Sequence, residues 1–93
     1  MSKKSVLLKN KERMSRADAA AFLRQLAEKL ESGKIHLAQG TREVVMDLPA
    51  ELVLEVKVDD KPRRRMGTKR SLELELEWYT GEDAEPRADL ELK

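Results

Sequence analysis

Six cations lie within ten residues of one another, and they form the part of the sequence best suited to recognition: Lys61, Arg63, Arg64, Arg65, Lys69 and Arg70. Lysine and arginine side chains neutralise phosphates, so such a block on a loop could follow a nucleic-acid backbone, with binding that falls steeply as salt rises. The block contains no aromatic side chain on which a base could stack. A solvated basic loop is the simpler interpretation of the same residues.

Groups that could perform acid–base or metal chemistry are few. His36 is the only histidine, and the alternation of its neighbours points it away from the predicted core. No second histidine or cysteine stands at ligand spacing. Glu73, Glu75 and Glu77 alternate along a strand, where they are expected to keep one face in water. Glycine-rich phosphate loops and nucleophile motifs are absent from the sequence. The sequence therefore predicts no enzyme, no metal site and no cofactor.

Composition places these groups in one small cytoplasmic domain. The chain has 93 residues, no cysteine, a net charge of +1 and 40% charged residues. No run approaches the ~20 apolar residues of a membrane span, so we expect no membrane association. The charges are segregated along the chain, because the tail is acidic and a second basic group opens the sequence. This basic N-terminus comprises Lys3, Lys4, Lys9, Lys11, Arg13 and Arg16.

The most regular segment is residues 71–79, Ser-Leu-Glu-Leu-Glu-Leu-Glu-Trp-Tyr. Strict alternation of apolar and acidic residues is typical of a strand with one buried and one solvated face. We expect Leu52, Leu54, Val56 and Val58 to form the neighbouring strand. Pairing Val58 with Leu72 and Leu54 with Leu76 places every apolar residue on one face, and the same register sets Leu52 opposite Trp78. Residues 59–69 would be a long basic connection between the two strands.

Residues 14–33 predict a helix with recognisable ends. Ser15 is a suitable N-cap and Asp18 follows three residues later. Gly33 supplies the left-handed residue that ends many helices. Apolar residues recur between these ends at spacings of three and four and form one stripe: Ala19, Phe22, Leu23, Leu26, Ala27 and Leu30.

Two further strands are predicted over residues 34–39 and 42–48, joined by the turn Gly40-Thr41. Glycine in the first central position suits a type II′ hairpin turn, and it pairs Leu37 with Val44. Pro49 would then turn the chain into the next strand, and residues 6–11 would form a first strand before the helix. The fold class is thus α+β, a two-layer β-α-β-β-β-β sandwich whose mainly antiparallel sheet is covered on one face by a single helix. Residues 1–79 form the domain, and residues 80–93 an acidic, flexible tail.

Three residues break the polar pattern of the outer face of this predicted sheet: Val45, Val53 and Tyr79. In the predicted registers Val53 lies between the other two, so the three would form a small apolar patch. Such a patch could be a homodimer surface or a platform for a ligand. Ordinary use of β-branched residues on a sheet is the simpler interpretation.

The helix segment Met-Ser-Arg-Ala-Asp-Ala-Ala-Ala-Phe-Leu-Arg-Gln-Leu-Ala-Glu-Lys-Leu-Glu-Ser-Gly-Lys-Ile, followed later by Leu-Glu-Leu-Glu-Leu-Glu-Trp, resembles the amphi-Trp domain family. That family is defined by an alternating amphipathic segment ending in a tryptophan, which is Trp78 here. The resemblance covers residues 6–79 and implies no catalytic or binding residues. Trp78 itself is expected to close one end of the core.

The sequence therefore predicts a small non-enzymatic binding domain that self-associates through its outer sheet face or an edge strand, with a homo-oligomer as its expected assembly. A nucleic-acid-binding module that uses residues 61–70 and the basic N-terminus is the alternative.

Overall fold

The computed structural model describes residues 4–80 of the chain, which contain one helix and four strands. Helix α1 spans Arg16–Ser32, β1 Lys34–Gln39, β2 Arg42–Asp47, β3 Val53–Arg63 and β4 Gly67–Glu77. The chain divides into two compact units, one within Met1–Ala50 and the other within Glu51–Lys93. The α+β class, the single helix and the antiparallel order of the strands that follow it are as predicted.

Helix α1 begins and ends at the predicted residues. The Ser15 hydroxyl accepts a hydrogen bond of 2.9 Å from the backbone N–H of Asp18, which satisfies one of the donors left open in the first turn. At the other end Gly33 has φ +92°, and its N–H donates to the carbonyls of Lys29 and Leu30. The left-handed backbone at Gly33 reverses the chain, so β1 begins at the next residue.

Strands β1 and β2 form the predicted hairpin in the predicted register. Leu37 lies opposite Val44, and Ile35 opposite Met46. Gly40 has φ +60° while no non-glycine residue of the described chain has a positive φ, as a type II′ turn requires. Helix α1 packs against β1, and Ile35, at 4% exposure, is the only buried apolar residue among residues 4–80.

Strands β3 and β4 form a second hairpin of eleven-residue strands. Val58 pairs with Leu72, Val56 with Leu74 and Leu54 with Leu76, as predicted. The ladder ends at Val53 and Glu77, so Leu52 and Trp78 flank the last pair rather than extending it. Both side chains are half-buried.

The predicted connection over residues 59–69 is much shorter in the structure. Both strands continue to a three-residue turn, Arg64–Met66, and Gly67 follows it with φ +80°. The proline at position 62 suggested a loop, but a proline is tolerated in a strand that lies at the edge of a sheet. Residues predicted for a loop therefore lie at defined positions on a ladder.

The predicted first strand is absent. Residues 6–11 form no strand in the described part of the chain, and Val6 and Leu7 are 61% and 64% exposed. Three consecutive apolar residues from Val6 do not alternate, so no face of a strand is specified there. The segment is instead held by Arg42, whose Nη1 donates to the Leu7 carbonyl at 3.2 Å.

The prediction of one continuous sheet is also wrong. Strands β1 and β2 form one two-stranded sheet, and β3 and β4 form another. Apolar alternation assigns side chains to the two faces of a strand, but it does not specify which strand lies beside it. The predicted turn at Pro49 does not join β2 to β3 in a ladder. Within residues 4–80, no helix has both the length and the apolar character required to cross a lipid bilayer.

Candidate interaction site

The β3–β4 hairpin has two chemically different faces because directly opposite residues of an antiparallel pair share a face. We call one of them the apolar face; it carries Leu54, Val56, Val58, Leu72, Leu74 and Leu76. We call the other the charged face; it carries Glu55, Lys57, Asp59, Lys61, Lys69, Glu73, Glu75 and Glu77.

The apolar face is largely exposed. Five of its six side chains are more than half accessible: Leu54 59%, Val56 56%, Val58 62%, Leu72 67% and Leu74 55%. Leucine and valine are among the residues most often buried in folded proteins. A contiguous exposed apolar surface of this kind is a candidate interaction site.

One ion pair borders the apolar face on the side of the turn. Arg70 lies opposite Asp60, and its Nε and Nη2 donate to the two carboxylate oxygens at 2.7 and 2.9 Å. The hydrogen bond from Arg70 holds the pKa of Asp60 below its ordinary value and raises that of Arg70. The fork geometry fixes the guanidinium on this face, so Arg70 is separated from the other cations of the predicted block.

The two ends of the charged face carry charges of opposite sign. Next to the turn, Lys61 lies directly opposite Lys69. Farther from the turn, Glu55 lies directly opposite Glu75. Each of these pairs is of the kind that destabilises a hairpin. The face is therefore cationic at one end and acidic at the other.

The acidic end forms a tight cluster. Carboxylate oxygens of Glu55, Glu75 and Glu77 lie within 4.8 Å of one another, and all three side chains are exposed. Such a spacing concentrates negative charge on one small area of the surface. The most direct physical consequence is attraction of a positive group to this end of the hairpin.

The structure brings together five of the six cations predicted to contact nucleic acid. Lys61, Arg63, Arg64, Arg65 and Lys69 lie on the turn and on the strand ends beside it, and all are exposed. None of the five forms an ion pair within residues 4–80. Arg70 is the exception because it is bound to Asp60. We call the five residues the cationic tip. The basic N-terminus up to Arg13 has no helix or strand in the described part.

The three residues predicted for self-association do not share a sheet. Val45 lies on β2, Val53 at the start of β3, and Tyr79 beyond the end of β4. Their exposed fractions are 53%, 59% and 81%. The continuous outer face that would have placed them side by side is not formed. Each residue is exposed individually, and Val53 lies on the charged face of the hairpin.

His36 occupies the surface position predicted for it. Its side chain is 54% exposed, and Nε2 lies 3.0 Å from Glu43 Oε1 across the β1–β2 hairpin. Glu73, Glu75 and Glu77 are exposed on the charged face. Sequence reasoning missed the Asp60–Arg70 pair. A predicted β3 that continues through Pro62 would place Asp60 opposite Arg70 and so indicate the pair.

A family model described as the Amphi-Trp domain, a domain of unknown function, matches residues 1–93. The match covers the whole chain, including residues 80–93, which lie beyond the resemblance over residues 6–79. Residues 81–93 of the predicted tail lie outside the described part of the structure. Neither a search of curated proteins nor a search of solved structures found a match to the chain.

Proposed function

The chain belongs to the Amphi-Trp domain family, and we propose that it is a small non-enzymatic interaction domain that self-associates through its β3–β4 hairpin. The observation that carries this proposal is the exposure of the apolar face, where five leucine and valine side chains are more than half accessible. A two-stranded hairpin without a covered face is marginally stable in water. Covering the face would therefore stabilise the hairpin as well as join the chains.

The energetics favour association. Complete burial of a leucine or valine side chain is worth about 1.5–3 kcal/mol, so covering even part of five such residues offsets a substantial cost of association. A second copy of the chain is a suitable partner, because it carries the same apolar face and is present wherever the chain itself is. Two identical apolar faces can meet about a two-fold axis, the commonest symmetry of homo-oligomers.

The non-enzymatic part of the proposal is supported by the positions of the candidate acid–base groups. His36 and its carboxylate neighbour Glu43 are more than half exposed on the β1–β2 hairpin. The glutamates of β4 lie on an exposed strand face. General acid–base catalysis usually depends on groups whose pKa is tuned by burial or by close charges, and these solvated positions do not provide burial.

The oligomeric state of the full chain tests the proposal. We expect sedimentation velocity at micromolar concentrations to show a reversible dimer. Val56→Glu, on the apolar face, should weaken it by about ten-fold or more, because a carboxylate would be buried in the contact. Val53→Glu is the matched control, with the same substitution on the same strand but on the charged face.

A chain that remains monomeric at every concentration would overturn self-association. If Val53→Glu disrupted the dimer and Val56→Glu did not, the contact would lie on the face predicted from the sequence rather than on the apolar face. Far-ultraviolet circular dichroism of each variant would show whether the secondary structure is retained.

Polyanion binding at the cationic tip is the second candidate function. The observation that favours it is the clustering of Lys61, Lys69 and the arginines of the turn without ion pairs in the described chain. Binding of random-sequence RNA or DNA should weaken by orders of magnitude between low and moderate salt. Arg64→Gln with Arg65→Gln should reduce it, whereas Lys29→Gln on helix α1 should not. Absence of binding at low salt rejects this candidate.

A further inference from the structure

The turn of the β3–β4 hairpin carries the most exposed large apolar side chain of residues 4–80. Met66 is 88% exposed and is the last residue of the Arg64–Met66 turn. It lines one hollow together with Arg63, Thr68 and Lys69, so its thioether side chain lies directly among cations of the tip. The end of the hairpin thus combines one projecting apolar group with several positive charges around it.

The charge distribution of the hairpin limits contact with a polyanion to this end. Along β4 the charged face changes from cationic at Lys69 to acidic at Glu73 within four residues, or about 14 Å. Glu55 and Glu77 lie on the same face still farther from the turn, where they would repel phosphates. A polyanion therefore meets the hairpin end-on, at the cationic tip.

The side chains at the tip suit a duplex better than a single strand. Proteins that bind single strands use aromatic side chains on which successive bases stack. The aromatic residues nearest to the hairpin in sequence, Trp78 and Tyr79, follow β4 at the end opposite the turn. Methionine belongs instead to the apolar wedges that enter the minor groove of duplex DNA and separate stacked base pairs there.

We infer that the cationic tip inserts into the minor groove of duplex DNA, with Met66 wedged at a base step and the surrounding cations on the flanking phosphates. This inference rests on the polyanion binding proposed above and specifies its ligand; it does not depend on self-association. Strands of a hairpin lie about 4.8 Å apart, so the turn presents a narrow end to a groove about 6 Å wide. A wedge kinks the duplex toward the major groove, which opens the minor groove around the tip.

The cations of the tip complement such a groove. Arg64 and Arg65 lie in the turn itself, and arginine is attracted by the enhanced negative potential of a narrow, A·T-rich minor groove. Lys61 and Lys69 lie opposite each other behind the turn. Their repulsion is unfavourable within the hairpin, and phosphates on the two sides of the groove would relieve it.

DNA bending tests the wedge. A duplex of about 20 base pairs, labelled at its two ends with a fluorescent donor and acceptor, should show increased energy transfer when the full chain binds. Met66→Ala should abolish the increase and weaken binding by about ten-fold. Met66→Leu should retain both properties, because leucine is also a wedge residue. Met14→Ala, which removes an exposed methionine outside the hairpin, is the matched control and should change neither.

Two duplexes of equal length separate groove insertion from attraction to phosphates alone. One has a central TA step within A·T pairs, and the other contains only G·C pairs, so their phosphate charge is identical. The tip should bind the A·T duplex at least about five-fold more tightly, because its minor groove is narrow and its TA step kinks easily. A dye that occupies the minor groove should displace the chain from the A·T duplex.

The salt dependence of binding tests the role of the lysines separately. Lys61→Gln with Lys69→Gln should reduce the slope of log affinity against log salt by about two, since two phosphate contacts are lost. Met66→Ala should leave that slope unchanged, because the methionine carries no charge. A Met66→Ala variant that lowers the slope as much as the lysine variant overturns the separate role of the wedge.

The remaining outcomes separate this inference from polyanion binding itself. Equal affinity for duplex DNA, single strands and double-stranded RNA, without bending, overturns groove insertion and leaves polyanion binding standing. Met66-dependent binding to phosphatidylglycerol vesicles, without binding to duplex DNA, overturns groove insertion in favour of an anionic lipid surface. Absence of binding to any nucleic acid at low salt overturns both proposals for the tip.

Discussion

Arg70 and Asp60 face each other across the β3–β4 hairpin and are joined by two parallel hydrogen bonds of 2.7 and 2.9 Å. This is the only bidentate ion pair within residues 4–80, and it lies on the otherwise apolar face. A planar guanidinium matched to a carboxylate is more restricted in geometry than a lysine contact. The pair therefore adds a directional side-chain contact to the hairpin at the point where the apolar residues end.

The pH dependence of stability should report this pair. Arg70 lowers the pKa of Asp60, so the pair stabilises the folded chain above the ordinary aspartate pKa, and the contribution is lost as pH falls through the lowered value. Thermal unfolding should therefore show Asp60→Asn to be less stable than wild type at neutral pH. The difference should shrink as the pH falls below the ordinary aspartate pKa, and it should vanish at a pH low enough to protonate Asp60 in the folded chain. Arg70→Lys, which retains the charge but loses the fork, should lie between them. An equal difference at both pH values would contradict this account.

Gly67 should contribute to stability only because it adopts a left-handed backbone conformation. Its φ is +80°, and a Cβ built there meets no atom within 4 Å. Gly67→Ala should therefore cost about 1 kcal/mol through left-handed strain, without any steric clash. Gly67→Asn is the control, because asparagine tolerates this region better. Urea denaturation at a fixed protein concentration measures both, and an alanine variant as stable as wild type would refute the prediction.

The N-cap of α1 should contribute measurably to stability. Ser15→Ala removes the acceptor for the Asp18 N–H and should lower the free energy of unfolding by about 1 kcal/mol. Ser15→Asp should retain most of the stability, since aspartate caps equally well and also suits the positive end of the helix dipole. Ser5→Ala, in the segment before the helix, serves as the control. Chemical denaturation followed by far-ultraviolet circular dichroism gives the values; a Ser15→Ala variant equal to Ser5→Ala would argue against the cap.

Trp78 should report association without a label. It is the only tryptophan of the chain and is half-buried directly after β4. A second copy that covers the apolar face of the hairpin would also cover part of this side chain, so acrylamide quenching of its fluorescence should decrease as protein concentration rises. The dimer-weakening variant Val56→Glu should stay readily quenched over the same range. Quenching that is independent of concentration in a chain shown to dimerise would place the contact elsewhere.

The features that the sequence predicts correctly are those determined by interactions between residues close together in the chain. Ser15 and Gly33 specify the ends of a helix by satisfying its terminal backbone groups. Gly40 specifies a two-residue turn, and that turn determines the register of β1 against β2. Alternation specifies the faces of β3 and β4. Each of these signals acts over a few residues, and each is confirmed in the structure.

What the sequence did not predict concerns strand edges and the extent of the strands. Backbone donors and acceptors at an edge are the same for every residue type, so no side-chain pattern identified which strands would adjoin. The division into two sheets follows from this, whereas residues 6–11 lack the alternation that would specify a strand. Pro62 favours a loop by its residue type, so the sequence predicts a shorter β3 than the structure has. The sequence therefore predicts a loop where the cationic tip lies, and it does not predict that Lys61 pairs with Lys69.

The two-sided character of the β3–β4 hairpin restricts how the chain can change in length. Inserting or deleting one residue within either strand would exchange its apolar and charged sides from that point onward. A change of two residues would shorten or lengthen the ladder and leave each side chain on its original side. Relatives should therefore differ in the length of this hairpin in steps of two, or concentrate odd-numbered changes in the turn at Arg64–Met66.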